Sequence, residues 1–349
     1  MSDVPGLPAR RAALRLLDAV LHRGETLDQA THNAVQGIVS GPDRALARAL
    51  AGEALRWLTD LDALIDSATR QRLPDDAKAR SVLRLMLAGW LRLDTPPHAV
   101  IATGLPLLAG GPRRLAHGVF SALARREARL PDGPSLPQAV AARWGVRSSV
   151  IAAALAVPPP LDLTLRDPAE TALWCERLQA VSLMPGHLRI ARGAAVEDLP
   201  GFAEGAWWVQ DLAASLPARL LGPGQGRRAL DLCAAPGGKT LQLAAVGRRV
   251  TALDASPRRQ ERLRQNLTRT GLSAEVLVAD ALAWQPDAAF DAVLLDAPCT
   301  ATGTCRRHPD VLHRIGPRQI AEMAELQARL LECAAAWLAP GGRLVFATC

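Results

Sequence analysis

The stretch Asp231-Leu232-Cys233-Ala234-Ala235-Pro236-Gly237-Gly238-Lys239-Thr240 decides how the C-terminal half of this chain is read. The apolar residues Ala229 to Leu232 have the character of a strand, and Thr240 to Val246 that of a helix. Small residues and glycines at a strand-to-helix turn let a ligand approach the main chain, and the helix start offers free N–H groups to an anionic or carboxylate ligand. Two familiar loops are excluded. A P-loop needs Gly where this chain has Cys233, and the GxGxxG spacing of dinucleotide folds is missing. Taken alone, the segment also fits a tight turn with no ligand.

Outward from this turn, strand and helix signals alternate from about Gly205. Val250 to Asp254 reads as a strand, Pro257 to Thr270 as a helix, Val276 to Asp280 and Ala292 to Asp296 as strands, Pro317 to Leu338 as a helix, and Arg343 to Thr348 as a strand. Strands separated by helices of this length give a parallel, doubly wound sheet, which binds ligands at the carboxyl ends of its strands. Asp254 stands where an acid meets a ribose diol in nucleoside-cofactor folds, and Asp280 stands where it would accept from an adenine amine. A single Asp at a strand end is more often a helix cap or turn residue. The ordered series of Gly-rich turn, Asp254, Asp280 and Asp296 instead points to a nucleoside-containing cofactor.

The strand ending in Asp296 continues as Ala297-Pro298-Cys299-Thr300-Ala301-Thr302-Gly303-Thr304, with Arg306-Arg307-His308-Pro309-Asp310 following. Pro298 fixes the turn, and the polar loop suits a nucleotide phosphate or base edge, or else plain solvent. A second cysteine, Cys349, ends the last strand in Phe346-Ala347-Thr348-Cys349. Two cysteines delivered to one sheet edge suggest thiol chemistry beside a bound small molecule.

With 349 residues, two or three domains are expected. The net charge of +7 favours polyanionic partners, and the excess is spread out, with 18 Lys+Arg against 13 Asp+Glu in residues 1–130. Only Lys78 and Lys239 are lysines, which gives the lysine inside the Gly-rich turn added weight. The six cysteines lack CxxC or CxxH spacing, so neither a zinc site nor, in a reducing compartment, disulfides are expected. No long uncharged apolar run appears and Met1–Pro5 lacks an export signal, so the expected location is the cytoplasm, as a monomer.

From Ala9 to about Arg129 the periodicity is helical throughout, as in Ala13, Leu16, Leu17, Val20 and Leu21, and five to seven helices are expected. Leu130-Pro131-Asp132-Gly133-Pro134-Ser135-Leu136-Pro137 cannot continue a helix. A second break at Val157-Pro158-Pro159-Pro160 precedes an extended Leu161 to Arg166, a helical Pro168 to Ser182 and a strand-like Leu188 to Ile190. The expected organisation is a helical domain over 1–130, a small α/β connector over 131–204 and a doubly wound core over 205–349.

These motifs resemble the RNA cytosine-5 methyltransferases of the RsmB/Sun/NOP group (NSUN-type), in the turn Asp231–Thr240, in Asp296-Ala297-Pro298-Cys299 with Arg306–Asp310, and in Ala347-Thr348-Cys349. Residues 9–129 resemble the NusB-like RNA-binding domain of the bacterial 16S rRNA branch. The lead-in Gly205-Ala206-Trp207-Trp208-Val209-Gln210-Asp211 also matches the family. The resemblance implies an all-α NusB-like domain in front of a Rossmann-like class I methyltransferase domain with a mostly parallel sheet. It implies S-adenosylmethionine as cofactor and RNA, most simply 16S rRNA, as partner, with neither metal nor membrane.

By position, Cys233, Ala234, Ala235, Pro236, Gly237, Gly238 and Lys239 would wrap the methionine and ribose part of the cofactor. Asp254 would take the ribose hydroxyls, Asp280 the adenine, and Asp296 would lie near the transferred methyl. Cys349 would attack the base and Cys299 would assist release; Cys299 as nucleophile, the pattern of DNA cytosine-5 methylases, is the second assignment. Cys175, Cys233, Cys305 and Cys333 read as packing residues.

Relatives continue past the Ala-Thr-Cys strand where this sequence stops, so a weak or inactive 349-residue form is one expectation. A non-catalytic rRNA-binding or assembly protein is the competing class. A nucleotide-dependent dehydrogenase is disfavoured by the missing glycine fingerprint.

Overall fold

The computed structural model describes residues 5–191, 193 and 195–349; Met1–Val4, read above for an export signal, lie outside the described residues. The chain forms two units, Met1–Pro158 with Ala301–Gly316, and Pro159–Thr300 with Pro317–Cys349.

The first unit is helical. Helices α1 (Leu7–Arg23), α2 (Leu27–Ala34), α3 (Gly41–Arg56), α4 (Leu58–Ser67), α5 (Lys78–Arg92), α6 (Pro97–Gly104) and α7 (Gly110–Arg125) are followed by α8 (Gln138–Trp144) and α9 (Ser148–Leu155). Local chemistry sets their ends. Thr26 and Gln29 form a capping box on α2, and Ser40 accepts from the Asp43 amide at the start of α3. Helix α5 is buried along Ala79–Gly89, including Arg80 and Arg84. These guanidinium groups are satisfied by α4: Arg80 reaches Asp66 at 2.7 Å and Arg84 reaches Asp62 at 2.7 Å. Buried charges survive only in such paired, hydrogen-bonded arrangements. Leu16, Leu17, Leu50, Leu55, Leu83 and Phe120 belong to the same apolar core.

The second unit opens with an antiparallel sheet made of β1 (Leu161–Leu165), β2 (Val181–Met184), β3 (His187–Ile190) and β4 (Trp207–Val209) in the order β2-β3-β1-β4, with α10 (Thr171–Leu178) before β2. The helix expected to reach Ser182 ends at Leu178. Gln179 takes a left-handed φ of 49°, and Val181 then pairs with Arg189 in β3. The Trp207-Trp208-Val209 lead-in is itself a strand, with Trp207 paired to Leu165.

Then come α11 (Leu212–Leu220), β5 (Arg228–Leu232), α12 (Gly238–Ala245), β6 (Arg249–Asp254), α13 (Pro257–Thr270), β7 (Glu275–Val278) and β8 (Phe290–Asp296). The segment that joins the helical unit contains the short α14 (Val311–Arg314), and α15 (Pro317–Ala336) and β9 (Leu338–Ala347) complete the chain. The five strands are all parallel, in the order β7-β6-β5-β8-β9. Alternation sends Leu230, Leu232, Val293 and Leu295 to one face with Leu330 and Trp337, and Ala229, Ala292 and Leu294 to the other with Ala218, Leu221 and Leu243. Both faces are therefore covered, and the strands read as continuous apolar runs. Successive strands run outward from β5 on one side and from β8 on the other, so the β5/β8 boundary is the switch point where a crevice opens at the carboxyl ends.

Candidate active site

The turn after β5 is shaped by its small residues. Cys233 takes a positive φ of 62° and Gly237 one of 107°. A Cβ on Gly237 would stand 2.1 Å from Leu263 Cδ1 of α13, so only glycine fits. The Ala234 amide donates to Leu253 O at 3.1 Å. Pro236 O accepts from Asn266 Nδ2 at 3.4 Å. Gly238 opens α12. Asp254, at the end of β6, is buried and accepts from the Ala235 amide at 3.2 Å, the Ser256 amide at 2.8 Å and Arg259 Nη2 at 2.9 Å. Asp280 lies two residues beyond the end of β7, not on the strand. It is exposed in a turn, where its carboxylate accepts from the Leu282 amide at 2.9 Å.

Asp231, within β5, is fully buried and takes a hydrogen bond from Thr240 Oγ1 at 2.5 Å. Its other oxygen has no partner among the described residues. Burial, opposed by the Thr240 hydrogen bond and by Lys239, pushes its carboxyl up to about 7. Cys233 is pushed up to about 12, first by burial and then by Asp254 and Asp231.

The switch point brings the rest together. Lys239 Nζ donates to Asp296 Oδ2 at 2.6 Å, across 57 residues of sequence. The Ala297 amide donates to Ala347 O at 3.0 Å, which ties the ends of β8 and β9. Cys299 Sγ and Cys349 Sγ stand 2.7 Å apart, with no disulfide between them. The Cys349 thiol is pushed well above the ordinary range by its hydrogen bond to Cys299, by burial and by Asp296, while Lys239 pulls it down.

Three side chains at this edge were not legible in the sequence. Gln210 underlies the turn, accepting from Trp208 Nε1 at 2.9 Å and donating to Gln242 Oε1 at 2.8 Å. Arg259 covers the carboxylate of Asp254. Gln327 of α15 donates to Pro298 O at 2.8 Å, next to Cys299. The lead-in motif flagged the neighbourhood of Gln210, but nothing local signalled the other two. The loop arginine Arg306 donates its Nε to Val157 O at 3.0 Å, within the helical unit. Among the described residues there is no group of His, Cys, Asp and Glu able to hold a metal ion, and no helix long and apolar enough to cross a membrane.

A five-stranded parallel sheet of this order, opening a Gly-bearing turn and an acid on the next strand at its switch point, defines a Rossmann-like class I methyltransferase. Residues 218–349 match the model of the family described as 16S rRNA methyltransferase RsmB/F, and residues 7–107 match that of the NusB family. The chain belongs to the RsmB/F family. A protein of Klebsiella pneumoniae subsp. pneumoniae named ribosomal RNA small subunit methyltransferase B is 35% identical over 371 residues, covering 97% of this chain and 85% of the relative. Its namesake in Xanthomonas campestris pv. campestris is 34% identical, over 99% of this chain and 84% of the relative. Among solved structures, a methyltransferase homologue from Pyrococcus horikoshii is 29% identical, with a TM-score of 0.52 over 59% of this chain and 70% of its own. PH0851 shares the fold, with a TM-score of 0.72 over 99% of this chain and 86% of its own at 23% identity.

The cofactor of this class is S-adenosylmethionine, and the residues fit it. The buried Asp231 oxygen, without a partner among the described residues, lies in the strand that enters the turn, Asp254 ends the next strand, and Asp280 lies two residues past the one after.

Proposed function

We propose that this protein methylates carbon 5 of a cytosine in 16S rRNA through a covalent Cys349–cytosine adduct. The observation that carries the reading is the pair of thiols 2.7 Å apart beside the Lys239–Asp296 ion pair. Carbon 5 of cytosine is a poor nucleophile. Addition of the Cys349 thiolate to carbon 6 makes it enamine-like, and bound S-adenosylmethionine supplies an electrophilic methyl on a sulfonium. Cys299 then helps remove the proton from carbon 5, and the electron pair of that C–H bond re-forms the ring double bond as the Cys349–C6 bond breaks.

Cys233–Lys239, Asp254 and Asp280 hold the cofactor in this scheme, and Asp296 lies near the reacting atoms. The electrostatics support a thiol that rests protonated. The Cys299 contact raises the Cys349 pKa most, followed by burial and Asp296, while Lys239 lowers it, so thiolate formation in this scheme goes with release of the Cys299 contact under the pull of Lys239. We also propose that residues 1–130 serve as the RNA-binding module, 131–204 as a connector and 205–349 as the catalytic core.

The test is transfer of labelled methyl to unmodified 16S rRNA followed by digestion to nucleosides. Label in 5-methylcytidine is expected. Label in another nucleoside would overturn the chemistry, and cofactor and RNA binding with no transfer would favour a binding or assembly protein.

A further inference from the structure

Past the end of β8 the chain leaves regular structure, since Ala297–Thr300 belong to neither strand nor helix. Backbone groups in such a segment need partners outside the ladder. Two restraints on the way to Cys299 come from the backbone itself. The Ala297 amide donates to Ala347 O at 3.0 Å, one bond beyond the Asp296–Ala347 pair of β8 and β9. The ring of Pro298 fixes its φ. What is left to settle is the Pro298–Cys299 peptide, whose plane carries the half-buried Cys299 side chain with it.

Gln327 holds that peptide: its Nε2 donates to Pro298 O at 2.8 Å. The place of Gln327 on α15 is telling. Leu330 and Ala334, three and seven residues further on, are buried in one apolar cluster with Leu295 and Trp337, and Leu326 packs against it. Residues at this spacing share a helix face, so Gln327 continues a core-facing stripe with an amide in place of an apolar group. Taking an amide out of water is unfavourable unless it finds a hydrogen-bond partner. The partner here is the carbonyl next to Cys299, and β8, β9, Cys299 and α15 all belong to the second unit.

We propose that Gln327 is a positioning residue for the release step: by holding the Pro298 carbonyl it sets the direction in which Cys299 presents its thiol to the carbon-5 proton. The inference rests on the release role of Cys299 proposed above. Gln327 acts through the backbone and takes no proton itself. Losing one neutral hydrogen bond is worth roughly 2- to 10-fold, and misplacing a reacting group by about 1 Å roughly 10²-fold in rate.

The experiment uses Gln327→Met, which removes the donor at similar length, and Gln327→Glu, which keeps the shape and turns an oxygen toward the carbonyl. Both are made in the 349-residue chain, with wild type and Cys299→Ala as references. Three quantities are read: protein–RNA adduct that survives denaturation in the presence of S-adenosylmethionine, kcat and KM for 16S rRNA, and cofactor affinity. The expected result is adduct above wild type in both variants, approaching that of Cys299→Ala. With it, kcat should fall about 5- to 50-fold, while KM and cofactor affinity stay within about twofold of wild type. If one variant fails to fold, the other carries the test.

Wild-type kcat without added adduct overturns the positioning role. So does a joint loss of cofactor affinity and adduct, which is the mark of a general structural role. Adduct in Cys299→Ala with lowered kcat but no added adduct in the Gln327 variants overturns the inference alone. Absence of adduct in Cys299→Ala itself overturns the cysteine assignment and the inference with it.

Discussion

The cofactor edge and the thiol edge of the same sheet are built differently. At the cofactor edge nearly every polar group is already engaged: Asp254 takes three donors, Gln210 and Gln242 are locked together, and Gly237 is wedged against Leu263. At the thiol edge Asp296 is half-exposed and Cys349 exposed, and the Lys239–Asp296 ion pair lies beside the Cys299–Cys349 contact. A site that binds one fixed ligand gains from being organised beforehand, whereas an edge that must admit a base and change charge during the reaction stays open until substrate arrives. Cys233, within the Gly-rich turn, is partly buried and packs against the apolar cluster under the sheet, whereas Cys349 is exposed.

The contrast can be broken most severely at Gly237. Gly237→Ala places a Cβ 2.1 Å from Leu263 at a positive φ, so a loss of about 2–5 kcal/mol in stability and of measurable cofactor binding is expected in denaturation and titration calorimetry. Next is Lys239→Met, which removes the cation that lowers the Cys349 pKa. Methyl transfer should fall about 10²-fold and its pH optimum should move to higher pH, because the thiolate then forms less readily. A pH–rate profile measures both, and an unshifted optimum would count against Lys239 as the activating charge.

Asp254→Asn keeps the shape of the carboxylate but cannot accept all three donors. A weakening of cofactor binding by about tenfold is expected, with the ratio of adduct to turnover unchanged, since the thiol edge is untouched.

At Asp231 the expected effect is on stability and not on activity, because its folded pKa is raised from 3.8 to about 7. The folded state keeps a proton that the unfolded state releases, so this contribution to stability is present below about pH 4 and is lost as pH rises through about 7. Asp231→Asn should flatten the fall in melting temperature across that window. An identical slope in the variant would show that the pH dependence comes from elsewhere.

Much of this was legible because the local signals were strong. Doubly covered parallel strands are written as unbroken apolar runs, and α13 is bounded by Pro257 and Gly271 as expected of a helix with those residues at its two ends. Asp280 was placed on a strand that stops two residues earlier, because apolar patterning does not distinguish the last ladder residue from the turn after it. Val181–Met184 was hidden inside a helical pattern that Gln179 cuts short. The pairs Lys239–Asp296 and Arg259–Asp254, and the capture of Ala301–Gly316 by the helical unit, arise from distances set by the fold and leave no periodic trace in the chain. The composition gave the lysine of the Gly-rich turn added weight but not its partner, Asp296 at the end of β8.

The account stands most directly on the division of labour between Cys299 and Cys349. Incubating the Cys299→Ala, Cys349→Ala and doubly substituted chains with 16S rRNA and S-adenosylmethionine, then counting protein–RNA adduct that survives denaturation, measures it. The account predicts stable adduct from Cys299→Ala and none from Cys349→Ala or the double variant. Adduct from Cys349→Ala but not from Cys299→Ala would contradict it and make Cys299 the nucleophile.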